Sequence, residues 1–453
     1  MPTFRSNWRA ISVLAGFAAM TCLGFADAAA LPSYSRQTKL PCSACHTQFP
    51  ELNDFGRSFK MSGYVLRAIE SIIDSTPGGR EDLSLSASNV FSAMFLASMT
   101  QTRTAQPGSQ NGSVLLPDQL SVFLSGAITS KIGAFVQVTF DPQSGAFGLD
   151  NADVRYATYG TLAGAPMLYG VSINNNPTAQ DLWNSTPVWG FPFSSSSLAP
   201  APAAAAIVDG SLGQAVAGLN AYGYWNQTVY AEIGGYRSSP FGVRQPLGSD
   251  SAATDVISGV APYWRVALTK AWGNNSAMLG TYGMVANLFP GGGQALSGPT
   301  NRHTDLALDL QYQRTMGHNS LTVAGTWIHE KQRLDAAFAN GEAEATAHTL
   351  DTYRARATLH LGRWLGLTAA PFAMTGTADT LLYAPAALGG SRTGGPNTSG
   401  LIGEVDVMPW QNVRLALQYT AYAKFNGAST NYDGSGRSAS ANNTLYASVW
   451  LMY

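Results

Sequence analysis

Residues 353–361 read YRARATLHL, and the two parities do not mix: Tyr353, Ala355, Ala357, Leu359 and Leu361 alternate with Arg354, Arg356, Thr358 and His360. In an extended strand successive side chains point to opposite faces, so one face here is oily and the other carries charge and hydrogen-bonding groups. The pattern recurs at 132–141, where Ile132, Ala134, Val136, Val138 and Phe140 oppose Gln137, Thr139 and Asp141. It recurs again at 445–453, where Leu445, Ala447, Val449, Leu451 and the terminal aromatic Tyr453 share one parity. Such strands suit a wall with lipid outside and water inside.

Extended outward, this reading gives sixteen segments of about ten residues, from 83–98 through 165–174, 261–272 and 347–361 to 442–453. Short turns such as Ser130-Lys131, Asn226, Gly317-His318 and Pro409-Trp410 interleave with long loops such as 99–118, 175–213 and 377–398. A transmembrane barrel makes short turns on the periplasmic side and long loops outside, whereas a soluble sandwich has no reason to alternate. The expected fold is therefore all-β, a sixteen-stranded antiparallel transmembrane barrel over 81–453, in the outer membrane of a Gram-negative bacterium.

Composition agrees. Only 12% of the 453 residues are charged, against roughly 25% in soluble proteins, while glycine reaches 47. The formal net charge of −1 gives no footing for nucleic acid. At the N-terminus Arg5 and Arg9 precede an apolar run, Ile11 to Phe25, that ends in alanines, so 1–30 reads as a cleaved signal peptide that takes Cys22 with it. The mature chain then keeps two cysteines.

These are Cys42 and Cys45 in CSACH, with His46 directly after. That spacing lets two thiols reach both vinyl groups of one porphyrin and holds the imidazole under the iron as proximal ligand. A zinc site needs two more soft ligands and a redox pair normally opens a helix after a strand; neither context is present. The segment 31–80 is thus expected to hold one covalent haem c and to fill the barrel, since some fifty residues sit near the size at which a domain needs a staple. Within it 51–60 reads as a short helix offering Leu52, Phe55 and Phe59 to a haem face. Met61 is the nearest candidate for the sixth ligand, with apolar packing against the porphyrin as its other reading. His303, His318, His329, His348 and His360 lie in the barrel region with no chelating pair among them.

The inward parity collects Asp153, Arg155, Asp305, Asp309, Arg354, Arg356, Glu404, Asp406, Arg414 and Lys424, which read as a wetted porin wall or, less simply, a metal site. Asp305 and Asp309 share a face but stand about 13 Å apart, too far to chelate one ion. No nucleotide-binding, triad or paired-carboxylate motif competes with the haem reading.

Two stretches, PSYSRQTKLPCSACHTQFPELNDFGRSFKMSGY (Pro32 to Tyr64) and NNNPTAQDLWNSTPVWGFPF (Asn174 to Phe193), resemble the fused monohaem cytochrome-porins of the outer membrane, known as iron(II) oxidases. The resemblance implies that Cys42 and Cys45 carry the haem, that His46 is its proximal ligand, and that an electron passes from extracellular Fe(II) to a periplasmic cytochrome or copper protein. A conduit for another extracellular donor, and a solute porin with a redox-sensing haem plug, are the two other functions compatible with the residues.

Overall fold

The computed structural model describes residues 33–66, 90–142, 145–238, 256–290, 296–362 and 364–453. The expected signal peptide, 67–80 of the expected haem segment, and the first part of the expected strand 83–98 lie outside the described residues. Sixteen long strands run antiparallel in chain order: β1 (Phe91–Thr102), β2 (Ser113–Ala127), β3 (Ile132–Asp141), β4 (Ala146–Leu162), β5 (Ala165–Asn174), β6 (Val216–Trp225), β7 (Val229–Ser238), β8 (Ala261–Trp272), β9 (Asn275–Phe289), β10 (Asn301–Met316), β11 (Asn319–Leu334), β12 (Ala347–Leu361), β13 (Leu365–Gly376), β14 (Thr398–Trp410), β15 (Val413–Lys424) and β16 (Thr444–Met452). A two-residue strand, Val256–Ile257, extends the sheet beside β9. β16 pairs with β1 from Thr444↔Thr102 to Met452↔Met94, which closes the sheet and leaves no free edge. Among the described residues no helix is long and apolar enough to cross a membrane; the strands make the crossing.

The alternation read from the sequence holds on both faces. Along β10, Leu306, Leu308 and Leu310 are exposed to the outside, while Asp305, Ala307, Asp309 and Gln311 are buried inside. The expected inward set Asp153, Arg155, Arg356, Glu404, Asp406 and Arg414 is likewise buried, Arg354 is partly exposed, and Lys424 is exposed at the end of β15. Most of these groups are covered and do not form a fully wetted wall, because two segments enter the lumen. Wall charges that would otherwise face water meet partners from two segments that enter the barrel.

The first is 33–66, with α1 (Ser33–Thr38), α2 (Cys42–Cys45) and α3 (Asp54–Met61). The expected helix over 51–60 begins later, at Asp54: Phe49-Pro50 turns the chain, Glu51–Leu52 pairs with His46–Gln48 in a small hairpin, and Asn53 caps the helix. Phe55 consequently turns outward and is 42% exposed, while Phe59 is buried. Gly133 on β3 lets this segment approach the wall, for a Cβ there would stand 2.1 Å from the carbonyl oxygen of Gly63.

The second is the β5–β6 connection, 175–215, of which 175–213 is expected as an outward loop. It leaves the external end of β5 but folds into the lumen, where Leu182, Trp183, Ile207 and Val208 are buried. Its backbone is satisfied by wall carboxylates, with Ile207 N donating to Glu330 and Val208 N to Asp305, both at 2.7 Å. Buried backbone needs such partners, and the inward acids supply them.

Candidate functional site

α2 is a single turn, so Cys42 and Cys45, three residues apart, lie on one face of it. Their thiols are unbridged. Burial raises both, Cys45 to about 11 with help from Cys42 beside it, so neither is the low-pKa thiolate that disulfide exchange requires. The Cys42 N–H donates to Gln411 Oε1 at 3.2 Å, in the two-residue turn between β14 and β15. The pair therefore sits at the short-turn, periplasmic end of the barrel.

α3 packs directly on α2. Asn53 Oδ1 accepts from Gly56 N at 2.9 Å, its Nδ2 donates to Ala44 O at 3.0 Å, and its own N–H donates to Cys45 O at 2.9 Å. Replacing Asn53 with alanine removes the cap at about 1 kcal/mol and should speed protease cleavage within 33–66 about fivefold in detergent; an unchanged rate would mean that the cap does not limit opening.

His46 follows α2 in extended backbone. Its ring is partly buried, and burial pulls its pKa down to about 4 against the nearby Pro50 and Glu51 backbone. Nδ1 has no hydrogen-bond partner of good geometry. The imidazole is neutral at any pH above that value, the form that binds a metal.

Cys42, Cys45 and His46 line one cavity of about 590 Å³, walled by Phe49, Phe59, Phe123, Trp189, Phe193, Trp450 and two methionines, Met94 and Met452. Two thiols and an under-bonded neutral imidazole facing one apolar, aromatic space fit a covalently attached porphyrin, which needs large flat apolar contacts and one nitrogen donor. The same cavity reaches Asp150 and Gln214, hydrogen-bonded to each other at 2.7 Å towards the external end of β4.

Met61 is elsewhere. Its side chain is buried among Leu168, Leu182, Trp183, Tyr222, Tyr230 and Met278 and does not line this cavity, and its carbonyl accepts from Tyr222 Oη at 2.7 Å. Met94 and Met452 were legible only as inward-parity residues of the first and last strands. Of the downstream histidines, His360 bonds to Gln48 of the inserted segment and to Ser320, His348 to Asp379, and His329 to Asp351. Asp305 and Asp309 serve separate ends of the inserted loop, Asp305 at Val208 N and Asp309 at Ser185 and Arg265.

The two stretches that carry the cytochrome-porin resemblance touch each other. Lys60 Nζ donates to the carbonyls of Ala179 and Asp181 at 2.7 and 2.8 Å and lies over Trp189, and Leu52 N donates to Asn184 Oδ1 at 3.1 Å. The wall joins them: Asp153 accepts from Tyr64 at 2.6 Å and from Arg155 at 2.7 Å, while Arg155 also donates to Gln180 O at 3.1 Å.

No protein-family model and no curated protein matches the chain. Among solved structures it is similar to OmpF of Salmonella typhi (10% identity, 80% of this chain and 97% of that one, TM-score 0.47). It is also similar to the outer-membrane channel DcaP of Acinetobacter baumannii (10%, 80% and 96%, TM-score 0.45) and to an anion-selective porin from Comamonas acidovorans (12%, 80% and 98%, TM-score 0.44). The closed antiparallel barrel with its apolar outer wall makes the chain a β-barrel protein of the outer membrane.

Proposed function

We propose that the chain is an outer-membrane cytochrome that takes one electron from extracellular Fe(II) and delivers it to a periplasmic carrier, a cytochrome or a copper protein. The observation that carries this reading is the convergence of Cys42, Cys45 and His46 on one aromatic cavity at the periplasmic end. A haem c held by the two thioethers, with His46 as proximal ligand, supplies a one-electron couple there. Fe(II) leaves as Fe(III) on the outer side, and the electron leaves below.

The residues around that couple do the rest. α2 sets the two sulfur atoms on one face, and burial keeps His46 neutral and free to bind. The apolar walls exclude bulk water, and the extension of the cavity towards Asp150 and Gln214 shortens the distance between the external mouth and the couple within a hydrocarbon layer about 30 Å thick. The resemblance of Pro32–Tyr64 and Asn174–Phe193 to cytochrome-porins supports the same donor.

A second reading, a solute porin, is favoured by a separate cavity of about 360 Å³ between the inserted loop and the wall, lined by Arg354, Arg356, Gln418 and Tyr446. Anaerobic stopped-flow mixing of Fe(II) with air-oxidised protein in detergent separates the two. Rapid haem reduction that is lost in Cys42→Ser and His46→Ala is expected. A haem that stays oxidised in excess iron would move the donor assignment elsewhere, and a Cys42→Ser variant that conducts solutes in planar bilayers as the parent does would favour the porin.

A further inference from the structure

We infer that the distal axial ligand of this haem is a thioether of the barrel wall, supplied by the methionine pair Met94 and Met452. The inference rests on the haem reading above and adds the ligand that the N-terminal segment does not provide. Met94 on β1 and Met452 on β16 are direct partners across the seam that closes the barrel, and both are buried on its inner face. They pack in one cluster with Leu96 and Trp450, against Phe49, Phe123 and Phe193. Phe49 bridges to the proximal side, its ring 5.4 Å from that of His46 and 5.1 Å from that of Trp450.

The lysine and the tyrosines lining the cavity are engaged. Lys60 gives its ammonium to two carbonyls, Tyr64 its hydroxyl to Asp153, and Tyr34 its hydroxyl to Ala134 O at 2.8 Å. Among the described residues His46 is the one histidine lining the cavity, and Met94 and Met452 are the methionines lining it. Thioether sulfur is a soft donor that stabilises the reduced iron and raises the potential of a histidine-ligated haem. Ligation donates a sulfur lone pair to the open iron position, with no change in oxidation state and no proton released. It also ties the inserted segment to the last strand pair of the barrel, a contact the sequence distance between Cys42 and Met452 conceals.

Packing alone would also place methionines against a porphyrin, so the test must read the iron. The purified full-length protein is compared with Met94→Leu, Met452→Leu and the double variant, leucine preserving volume and apolarity. Covalent haem is scored after denaturation; the far-red thioether-to-ferric-iron absorption, the reduction midpoint and carbon monoxide binding to the ferrous form are then recorded. The expected result is a thioether signature in the parent, lost in one single variant and in the double variant, with a lower midpoint and faster carbon monoxide uptake at full haem content. A parent with covalent haem but no thioether signature overturns this inference and leaves the haem reading standing, and requires no variant to fold. A double variant that keeps the parent's absorption and midpoint overturns it equally. A parent without covalent haem removes the haem reading and this ligand with it.

Discussion

On the proposed haem reading, replacing Gly56 with alanine is expected to prevent covalent haem attachment while leaving an inserted, closed barrel. Gly56 lies in α3 where that helix meets α2, and a Cβ there would stand 2.1 Å from the carbonyl oxygen of Cys45 and 2.9 Å from its carbonyl carbon. Helix propensity favours alanine over glycine by about 1 kcal/mol, but that preference is local to α3. The clash is with backbone, which cannot rotate away as a side chain can. Ordinary overpacking costs about 1–3 kcal/mol, and a rigid contact this short belongs at or beyond the top of that range. α3 must therefore move off α2, taking with it the support under Cys45 and His46, the residue next in the chain. The barrel strands lie outside this contact and should keep the heat-modifiable gel mobility of a folded barrel. Haem staining after denaturing electrophoresis decides the matter: a Gly56→Ala protein with full haem content would show that α2 is positioned by the wall and not by α3.

The barrel was legible because each wall strand repeats one physical rule. Strands 165–174, 261–272 and 347–361 end where the oily parity stops, and the structure places their ends at the same residues. Elsewhere the hydrogen-bond ladder continues past the point where side chains still declare a face. β4 runs Ala146–Leu162 where the alternation marks only 151–159, and β2 starts at Ser113 where the alternation marks 119–129. CSACH reads as a haem motif from neighbours in the chain alone, and the structure sets Cys42, Cys45 and His46 along one cavity.

What the sequence concealed depends on long-range closure. Met61 is nearest to His46 in the chain, yet α3 turns it into a different apolar cluster; Met94 and Met452 come to the cavity only when the first and last strands meet. The loop over 175–215 is rich in turn residues and reads as external. Its inward course depends on Asp181, which accepts from Trp183 N, Ser185 N and Thr186 N, and on wall acids more than one hundred residues away or nearly so. The charged lumen looked wetted for the same reason: periodicity gives the face of Arg356, not the Glu51 that covers it.

That ion pair sets a pH dependence on the docking of 33–66. Glu51, in the hairpin before α3, is fully buried and accepts from Arg356, from Thr322 and, at 3.0 Å, from Gln313 on the wall. Burial alone would raise its pKa, but the Arg356 charge, the hydrogen bonds from Thr322 and Arg356, and His360 together outweigh burial and hold it at about 2, below an ordinary value of 4.5. A carboxyl whose pKa is depressed by docking stabilises the docked state above its free value and loses that contribution as pH falls through the docked one. Docking of 33–66 should thus be firm above about pH 5 and weaken progressively towards pH 2. In planar bilayers the parent's conductance should rise over that window as the segment loosens. Glu51→Gln keeps the size of the side chain but removes the titration, so its conductance should change little with pH in the same range. Glu51→Ala removes the counter-charge of the buried Arg356 guanidinium, as Gln does, and also the oxygens that accept from Thr322 and Gln313, a loss of about 3–5 kcal/mol or more for a broken buried pair. That variant should conduct at neutral pH and expose 33–66 to protease there. An alanine variant as closed and as resistant as the parent at pH 7 would mean that the Asp153–Arg155 and Lys60 contacts hold the segment without the pair.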